Sequence, residues 1–184
     1  MRERKKKEVV MSKFEVKGVK SFPGHDGMKG FSANLYCDGK KVCEVFDLAY
    51  GGCYEYRWLD YKKPRVVVKT TNYKGESFDR KCTPAEAKLV KHLEGKTYEC
   101  PYSGETRPLG EDMYLAEIVE EYENEKRMKR LCRTKVMVKL ASDKEDTYST
   151  FKAKWSPEVK AKLEEWAKKN GETVIEWVNE RYVA

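Results

Sequence analysis

The sequence predicts an α+β fold, with an antiparallel β-meander in the N-terminal part, then helices, a second short β-hairpin and C-terminal helices. Short strand-like segments separated by glycine-rich turns occupy the first 70 of the 184 residues. Segments with helical apolar spacing and helix-start signals follow, interrupted once by strand-like sequence. Hydrophobic residues make up 40% of the chain, which is enough for a core. No apolar run approaches the about 18 residues that a membrane helix needs.

The meander is predicted from successive strand-like segments. Residues 13–22 alternate between apolar and polar side chains, with a slip at Gly18 where a β-bulge is expected. A turn-rich loop follows, and Phe31 to Tyr36 form the second strand. Asp38-Gly39 predicts a type I′ hairpin turn, because both central residues of that turn need a positive φ. Further strands are predicted at 41–47 and 53–58, with another strand or a short edge at 66–68.

Three helices are predicted after the meander. Thr83-Pro84-Ala85-Glu86 is a capping box with proline at the first helical position, and Gly95 stands where a C-terminal cap belongs. The longest helix runs from Glu111 to about Cys132, and its acidic-to-basic order complements the helix dipole. Ser156-Pro157 starts the third helix, which ends at Asn170-Gly171. Strands at 135–140 and 148–155 form the second hairpin, and residues 174–182 fit helical spacing slightly better than alternation.

The formal charge of +7 is unevenly distributed. Residues 1–10 hold five basic and two acidic side chains, so the rest of the chain carries only +4. We therefore predict a basic, disordered tail over residues 1–12, with a nucleic-acid-binding arm as the alternative. Residues 13–184 are predicted to form a single α+β domain. The Pro/Gly-rich stretch at 100–110 is where two lobes would divide.

The sequence contains none of the strong catalytic motifs. It has no P-loop, dinucleotide-binding glycine pattern, nucleophile elbow or H-E-x-x-H. The glycines at 24, 27 and 30 are predicted to form a β-hairpin loop and not a phosphate cradle. Asp26 and Asp47 are expected to make Asx-turns, with a metal site as the alternative. We therefore expect a non-enzymatic protein without a cofactor.

The six cysteines, at 37, 43, 53, 82, 100 and 132, lack metal-site spacing, since there is no C-x-x-C pair. Free thiols in a reducing cytosol are the expectation, with a Cys37–Cys43 disulfide or a metal as the alternative. Cys53 and Cys100 also keep a cysteine-dependent enzyme open as a function, because Cys100 lies in a loop and Cys53 follows the flexible Gly51-Gly52 pair. Such a thiolate would need a base, for which His25 and His92 are the candidates.

Residues 54–82 interleave six aromatic side chains with eight basic and four acidic ones. Aromatic rings that stack on bases and cations that neutralise phosphates suit single-stranded nucleic acid. Tyr, Trp and Arg also anchor protein–protein interfaces, and a half-buried strand with a solvated lysine face is the third interpretation. The residues predicted to bind a partner or nucleic acid are Tyr54, Tyr56, Arg57, Trp58, Tyr61, Lys62, Lys63, Arg65, Lys69 and Lys74.

The first third of the chain carries a longer pattern. Phe14-x-Val16 precedes Gly24-x-Asp26-Gly27, which is followed by Gly30-Phe31-x-Ala33-Asn34-Leu35-Tyr36-x-Asp38-Gly39-Lys40-Lys41-Val42, then Asp47 and Gly51-Gly52. Over residues 13–60 this pattern resembles a group of small, uncharacterised proteins of bacteriophages and integrative mobile elements. That group has no activity that identifies a functional residue here.

The resemblance implies a protein that acts by binding, such as an inhibitor of a host defence complex. We therefore expect an anti-CRISPR-type protein that blocks a Cas nuclease in the cytoplasm of a bacterial host, with a protein or ribonucleoprotein partner and no membrane partner. The alternative is a basic domain that binds DNA or RNA directly, and the second alternative is a cysteine-dependent enzyme. The helix at 111–132 and the aromatic-rich C-terminus also offer a homodimer contact.

Overall fold

The computed structural model describes residues 12–24 and 27–183. The predicted tail up to residue 11, together with His25 and Asp26, lies outside the described residues. The chain divides into two compact units, one up to Tyr122 and the other from Glu123 onward. This boundary lies within the longest helix, whereas the Pro/Gly-rich stretch at 100–110 lies inside the first unit. Among the described residues, none of the helices has both the length and the apolar character of a membrane span.

The first unit begins with the predicted antiparallel meander, whose strands pair in chain order. A register shift between Lys17 and Lys20 confirms the bulge at Gly18. The bulge keeps Val16 and Val19 on the same side of the sheet, which explains the slip in the apolar pattern. The strands are β1 (Phe14–Pro23), β2 (Lys29–Cys37), β3 (Lys40–Asp47) and β4 (Glu55–Trp58).

The turn between β2 and β3 has the predicted geometry. Asp38 has φ 51° and Gly39 has φ 78°, so both central residues are in the left-handed region. The carboxylate of Asp38 also accepts a hydrogen bond from the backbone N–H of Lys13 at 2.9 Å. This bond ties the turn to the residue that precedes β1.

A hairpin and a helix follow the meander. Strands β5 (Val66–Thr71) and β6 (Ser77–Cys82) pair with each other, and α1 (Pro84–Leu93) follows. Val68 and Cys82 form a buried cluster with Ala87 and Val90 of α1. The sequence predicted only residues 66–68 of this hairpin as extended, so strand β6 was not predicted. Its sequence, in which Phe78 and Cys82 flank three charged residues, gives no regular apolar alternation from which to predict it.

Short strands β7 (Thr97–Glu99) and β8 (Thr106–Pro108) form a second ribbon. The backbone N–H of Leu109 extends the pairing to the carbonyl of Lys96 at 3.0 Å. These bonds bridge the Pro/Gly-rich stretch at 100–110 within the first unit. Helix α2 (Glu111–Cys132) follows with the predicted bounds, and its first part belongs to the first unit.

The core of the first unit lies between one face of the meander and the two helices. Leu35 and Val45 of the sheet are buried together with Leu89 of α1 and Leu115 of α2. Burial of each such side chain stabilises the fold by about 1.5–3 kcal/mol. The half-buried aromatic residues Tyr54, Tyr56 and Trp58 pack against this cluster.

The second unit contains an antiparallel three-stranded sheet with the order β10-β9-β11. The prediction of helical structure over 174–182 is wrong for its first half, because Val174 to Trp177 pair with β9 as a strand. Trp177 packs there against Trp155, and the pairing covers one edge of the buried strand β9. The elements are β9 (Val136–Leu140), β10 (Ser149–Phe151), α3 (Pro157–Lys169), β11 (Val174–Trp177) and α4 (Val178–Tyr182).

One buried polar side chain fastens α4 to the sheet of the second unit. Asn179 is fully buried, and its Oδ1 accepts a hydrogen bond from the backbone N–H of Met137 at 2.7 Å. Its Nδ2 donates to the carbonyls of Cys132 and Lys135, at 3.0 Å and 2.8 Å. Every polar atom of the amide is therefore used, which removes the penalty for burying it.

Candidate functional site

The structure separates the ten predicted binding residues into three inward-facing aromatic residues, Arg57 on the opposite face of β4, and six exposed residues that follow β4. Tyr54, Tyr56 and Trp58 lie at or in β4 at every second position, and their side chains share the face that packs on the core. All three are half-buried. The half-buried strand, which was one of the three interpretations of this stretch, therefore describes β4.

Asp112, in the first turn of α2, fixes two of these aromatic residues. Its carboxylate accepts a hydrogen bond from the backbone N–H of Tyr54 at 3.1 Å and one from the hydroxyl of Tyr56 at 2.5 Å. Burial, together with the hydrogen bond to Asp112, raises the pKa of the Tyr56 phenol well above its ordinary value of 10.0. The ring of Tyr56 lies nearly parallel to that of Trp58, with the ring centroids 6.0 Å apart.

Arg57 lies on the opposite face of β4. Its side chain is exposed, and its guanidinium carbon stands 4.5 Å from the centroid of the Phe46 ring. Such a cation–π contact contributes about 0.5–1 kcal/mol at an exposed site. Arg57 is thus separated by the sheet from the three aromatic residues that precede and follow it.

The remaining six predicted residues are exposed and continue from the end of β4 through the β5–β6 hairpin. Tyr61, whose surface is 61% exposed, and Tyr73, at 67%, accompany the cations. Lys81 of β6 is a further exposed cation that the predicted set omitted. We define the cationic strip as Lys62, Lys63, Arg65, Lys69, Lys74 and Lys81 together with Tyr61 and Tyr73.

The register of the hairpin explains why these strand residues face solvent. Val68 and Cys82 are buried against α1, so the alternate positions of the two strands point away from the core. Lys81 lies opposite Val67, which is itself 60% exposed, and Lys69 lies opposite Asp79. In the sequence, the exposure of Lys81 is indicated only by its position next to the buried Cys82. That position is informative only once β6 is assigned as a strand.

Positive charge is concentrated in this part of the first unit. Residues 61–81 contain seven basic and two acidic side chains, a net charge of +5. Residues 12–122 as a whole contain 18 basic and 18 acidic side chains. The strip is therefore a positive region within residues 12–122, whose net charge is zero.

Arg80 differs from the other cations of the hairpin, because it points inward and is paired. Its Nη2 donates to Glu86 of α1 and its Nη1 to Glu111 of α2, each at 2.6 Å. Glu86 is buried, and it also lies 3.7 Å from the guanidinium of Arg65. This network joins the hairpin to both helices and thereby holds the cationic strip in place.

The cysteines and histidines proposed for an enzyme are not joined by hydrogen bonds in the described part of the chain. Cys53 is exposed, whereas Cys100 is buried. The Ser103 hydroxyl and the backbone N–H groups of Tyr102 and Ser103 lower the pKa of the Cys100 thiol. His92 instead contacts Lys96, while His25 lies outside the described residues.

The six cysteines are all free thiols, Cys37 and Cys43 included. Within residues 12–24 and 27–183, no group of three or more His, Cys, Asp or Glu side chains is arranged to hold a metal ion. Comparison of the chain with models of known protein families, with curated protein sequences and with solved structures gave no match.

Proposed function

We propose that this protein is a nucleic-acid-binding protein whose cationic strip contacts the phosphate backbone. The observation that carries this proposal is the exposure of six cations from a loop, two paired strands and a turn, at residues 62–81. Lys and Arg side chains that neutralise phosphates release condensed counterions, and this release drives non-specific binding to nucleic acids. The exposed rings of Tyr61 and Tyr73 add surfaces on which unpaired bases stack.

The side chains of the strip favour nucleic acid over a protein partner. Five of its six cations are lysines, which are depleted at protein–protein interfaces. The residue types that anchor such interfaces are Trp, Tyr and Arg. In this segment Tyr54, Tyr56, Trp58 and Arg80 are half-buried or paired. What the segment offers to solvent is its cations, together with exposed apolar side chains such as those of Leu59, Val67 and Phe78.

The sequence prediction of a phage or mobile-element inhibitor of a host defence complex is retained as a narrower proposal. Cas effectors hold their guide–target duplex in a positively charged channel, which would repel the cationic strip. An inhibitor with this surface would therefore contact the nucleic acid of the complex and not the channel wall. A pull-down from bacterial lysate that returns a nuclease only while its nucleic acid is intact would support this mode, and recovery after complete nuclease treatment would contradict it.

Four lysines of the strip provide the test of the proposed function. We expect the combined change of Lys62, Lys63, Lys69 and Lys74 to alanine to weaken binding of a fluorescent single-stranded oligonucleotide by about tenfold or more at moderate salt, because phosphate contacts are lost. Fluorescence anisotropy measures the dissociation constant.

A matched control removes the same charge elsewhere on the first unit. Lys20, Lys40, Lys88 and Lys91 are exposed and lie outside the strip, and their combined change to alanine should alter the affinity much less. Equal weakening by both sets of changes would show that only net charge matters, and no weakening by the first set would overturn the assignment of the strip.

A further inference from the structure

A cavity of about 410 Å³ lies in the first unit beside β4. Pockets that hold small ligands range from about 300 to 1,000 Å³. Its walls come from β4, from β6 and from the start of α2. The side chains that matter for recognition are Tyr54, Tyr56, Trp58, Arg80 and Asp112.

The aromatic wall of the cavity is fixed before any ligand arrives. Tyr54, Tyr56 and Trp58 share one face of β4 and pack on the core, and the ring of Tyr54 meets that of Phe31 edge-on at 5.2 Å. The planes of Tyr56 and Trp58 differ by only 7°. A wall of this kind suits a flat aromatic ligand, and little side-chain freedom remains to be lost on binding.

The charged groups of the cavity are one guanidinium, that of Arg80, and two carboxylates, those of Glu111 and Asp112, each held by neighbours. The guanidinium of Arg80 uses two of its five N–H groups on Glu86 and Glu111, so three remain for a ligand. The carboxylate of Asp112 accepts from Tyr54 and Tyr56, and its oxygens have further lone pairs. An arginine and a carboxylate that are fixed beside aromatic rings are suited to the edge of a nucleobase.

Among the bases, guanine matches this set best. It presents two neighbouring acceptors, O6 and N7, to an arginine, and its N1–H and N2 amino group donate to a carboxylate. Uracil and thymine lack an amino donor, adenine lacks a carbonyl acceptor, and cytosine offers a smaller ring for stacking. Arg80 directly precedes Lys81 of the cationic strip, and successive side chains of a strand point to opposite faces, so β6 contributes to the two surfaces from its two faces.

We propose that this cavity binds an unpaired guanine base of the nucleic acid whose phosphates contact the cationic strip. The proposal rests on the proposed function and adds to it a substrate class, single strands that contain guanine. The strip supplies affinity that does not depend on sequence, and the cavity supplies the preference for a base.

Cys53 provides the probe for this proposal, because it lines the cavity and is the exposed member of the six cysteines. We would measure by mass spectrometry how fast N-ethylmaleimide alkylates Cys53, with the buried Cys100 as the internal reference. Guanosine monophosphate at about twice its dissociation constant should slow alkylation of Cys53 about threefold. The monophosphates of adenosine, cytidine and uridine at the same concentration should slow it less, and ribose 5-phosphate should have no effect. Equal protection by ribose 5-phosphate, equal protection by all four nucleotides, or no protection would overturn the proposal.

A second measurement separates this proposal from the proposed function. Two thymine oligonucleotides are compared, one with a single guanine and one with an abasic site at the same position. We expect wild-type protein, and the Arg57→Ala variant on the opposite face of β4, to prefer the guanine strand, and protein alkylated at Cys53 to lose this preference. Equal affinity of wild-type protein for both strands would contradict the proposed guanine pocket but not the proposed function. Failure of the wild-type protein to bind either strand would contradict the proposed function as well.

Discussion

His92 lies on α1 between two aromatic rings of the first unit. Its ring centroid is 5.2 Å from that of Phe14 and 5.2 Å from that of Tyr114, and its Nε2 lies 2.9 Å from the ammonium of Lys96. Burial and the neighbouring charge of Lys96 lower the pKa of His92 below its ordinary value of 6.5. The neutral ring is therefore the form that the fold favours, and its Nε2 accepts a hydrogen bond from Lys96.

This lowered pKa makes the stability of the first unit depend on pH. The unfolded chain takes up a proton at His92 more readily than the folded chain, so the contribution is fully present above pH 6.5 and is lost as the pH falls below that value. We expect the free energy of unfolding in urea to fall between about pH 7 and about pH 5.5, and to fall less in the His92→Gln variant. Identical changes in the two proteins would show that His92 is not the group responsible.

At the scale of elements, the start of α1 is specified by reciprocal hydrogen bonds. The hydroxyl of Thr83 accepts from the backbone N–H of Glu86 at 3.2 Å, and the Glu86 carboxylate accepts from the backbone N–H of Thr83 at 3.0 Å. The same carboxylate accepts a hydrogen bond from the guanidinium of Arg80 of β6. The helix cap and the packing of the hairpin thus share one buried carboxylate.

We expect the Thr83→Ala change to lower the free energy of unfolding by about 1–2 kcal/mol, because a buried cap is lost. The Thr83→Ser variant keeps the hydroxyl and should lie much closer to wild type. Urea unfolding followed by circular dichroism measures both variants. If the Thr83→Ser and Thr83→Ala variants lose the same free energy of unfolding, the hydrogen bond of the cap is not what Thr83 contributes to stability.

The elements that could be predicted from the sequence are those specified by neighbouring residues. The capping box at Thr83, the Asp38-Gly39 turn and the bulge at Gly18 each depend on a few adjacent side chains, and each was predicted. Strand β11 depends instead on pairing with β9, more than 30 residues away in sequence, and its own apolar spacing suggested a helix. The short ribbon β7–β8 was missed because three-residue strands carry no periodicity.

The candidate site was predictable to a similar degree. Exposure of Lys62, Lys63, Lys69 and Lys74 follows from their charge, and the inward face of β4 follows from alternation once the strand is assigned. The inward turn of Arg80 could not be predicted, because it depends on where Glu86 and Glu111 meet in the folded unit. The cavity that Arg80 lines is likewise a property of the tertiary structure.

For the whole molecule, the location of the charge matters more than its sum. The chain has a formal charge of +7, to which residues 12–122 contribute nothing, since they contain 18 basic and 18 acidic side chains. Residues 61–81 nevertheless carry +5, on a face that a half-buried ion network holds in position. Such a separation attracts polyanions to one face of the unit.

The dependence of binding on salt is the measurement that tests this account most directly. The logarithm of the binding constant for single strands falls with the logarithm of salt concentration by about 0.7 for each phosphate that is neutralised. We predict a steep linear fall for wild-type protein, and a slope smaller by about 3 when Lys62, Lys63, Lys69 and Lys74 are changed to alanine, because four contacts are lost. The same slope in wild type and variant, or binding of the wild-type protein that does not depend on salt, would contradict the assignment of this surface to nucleic acid.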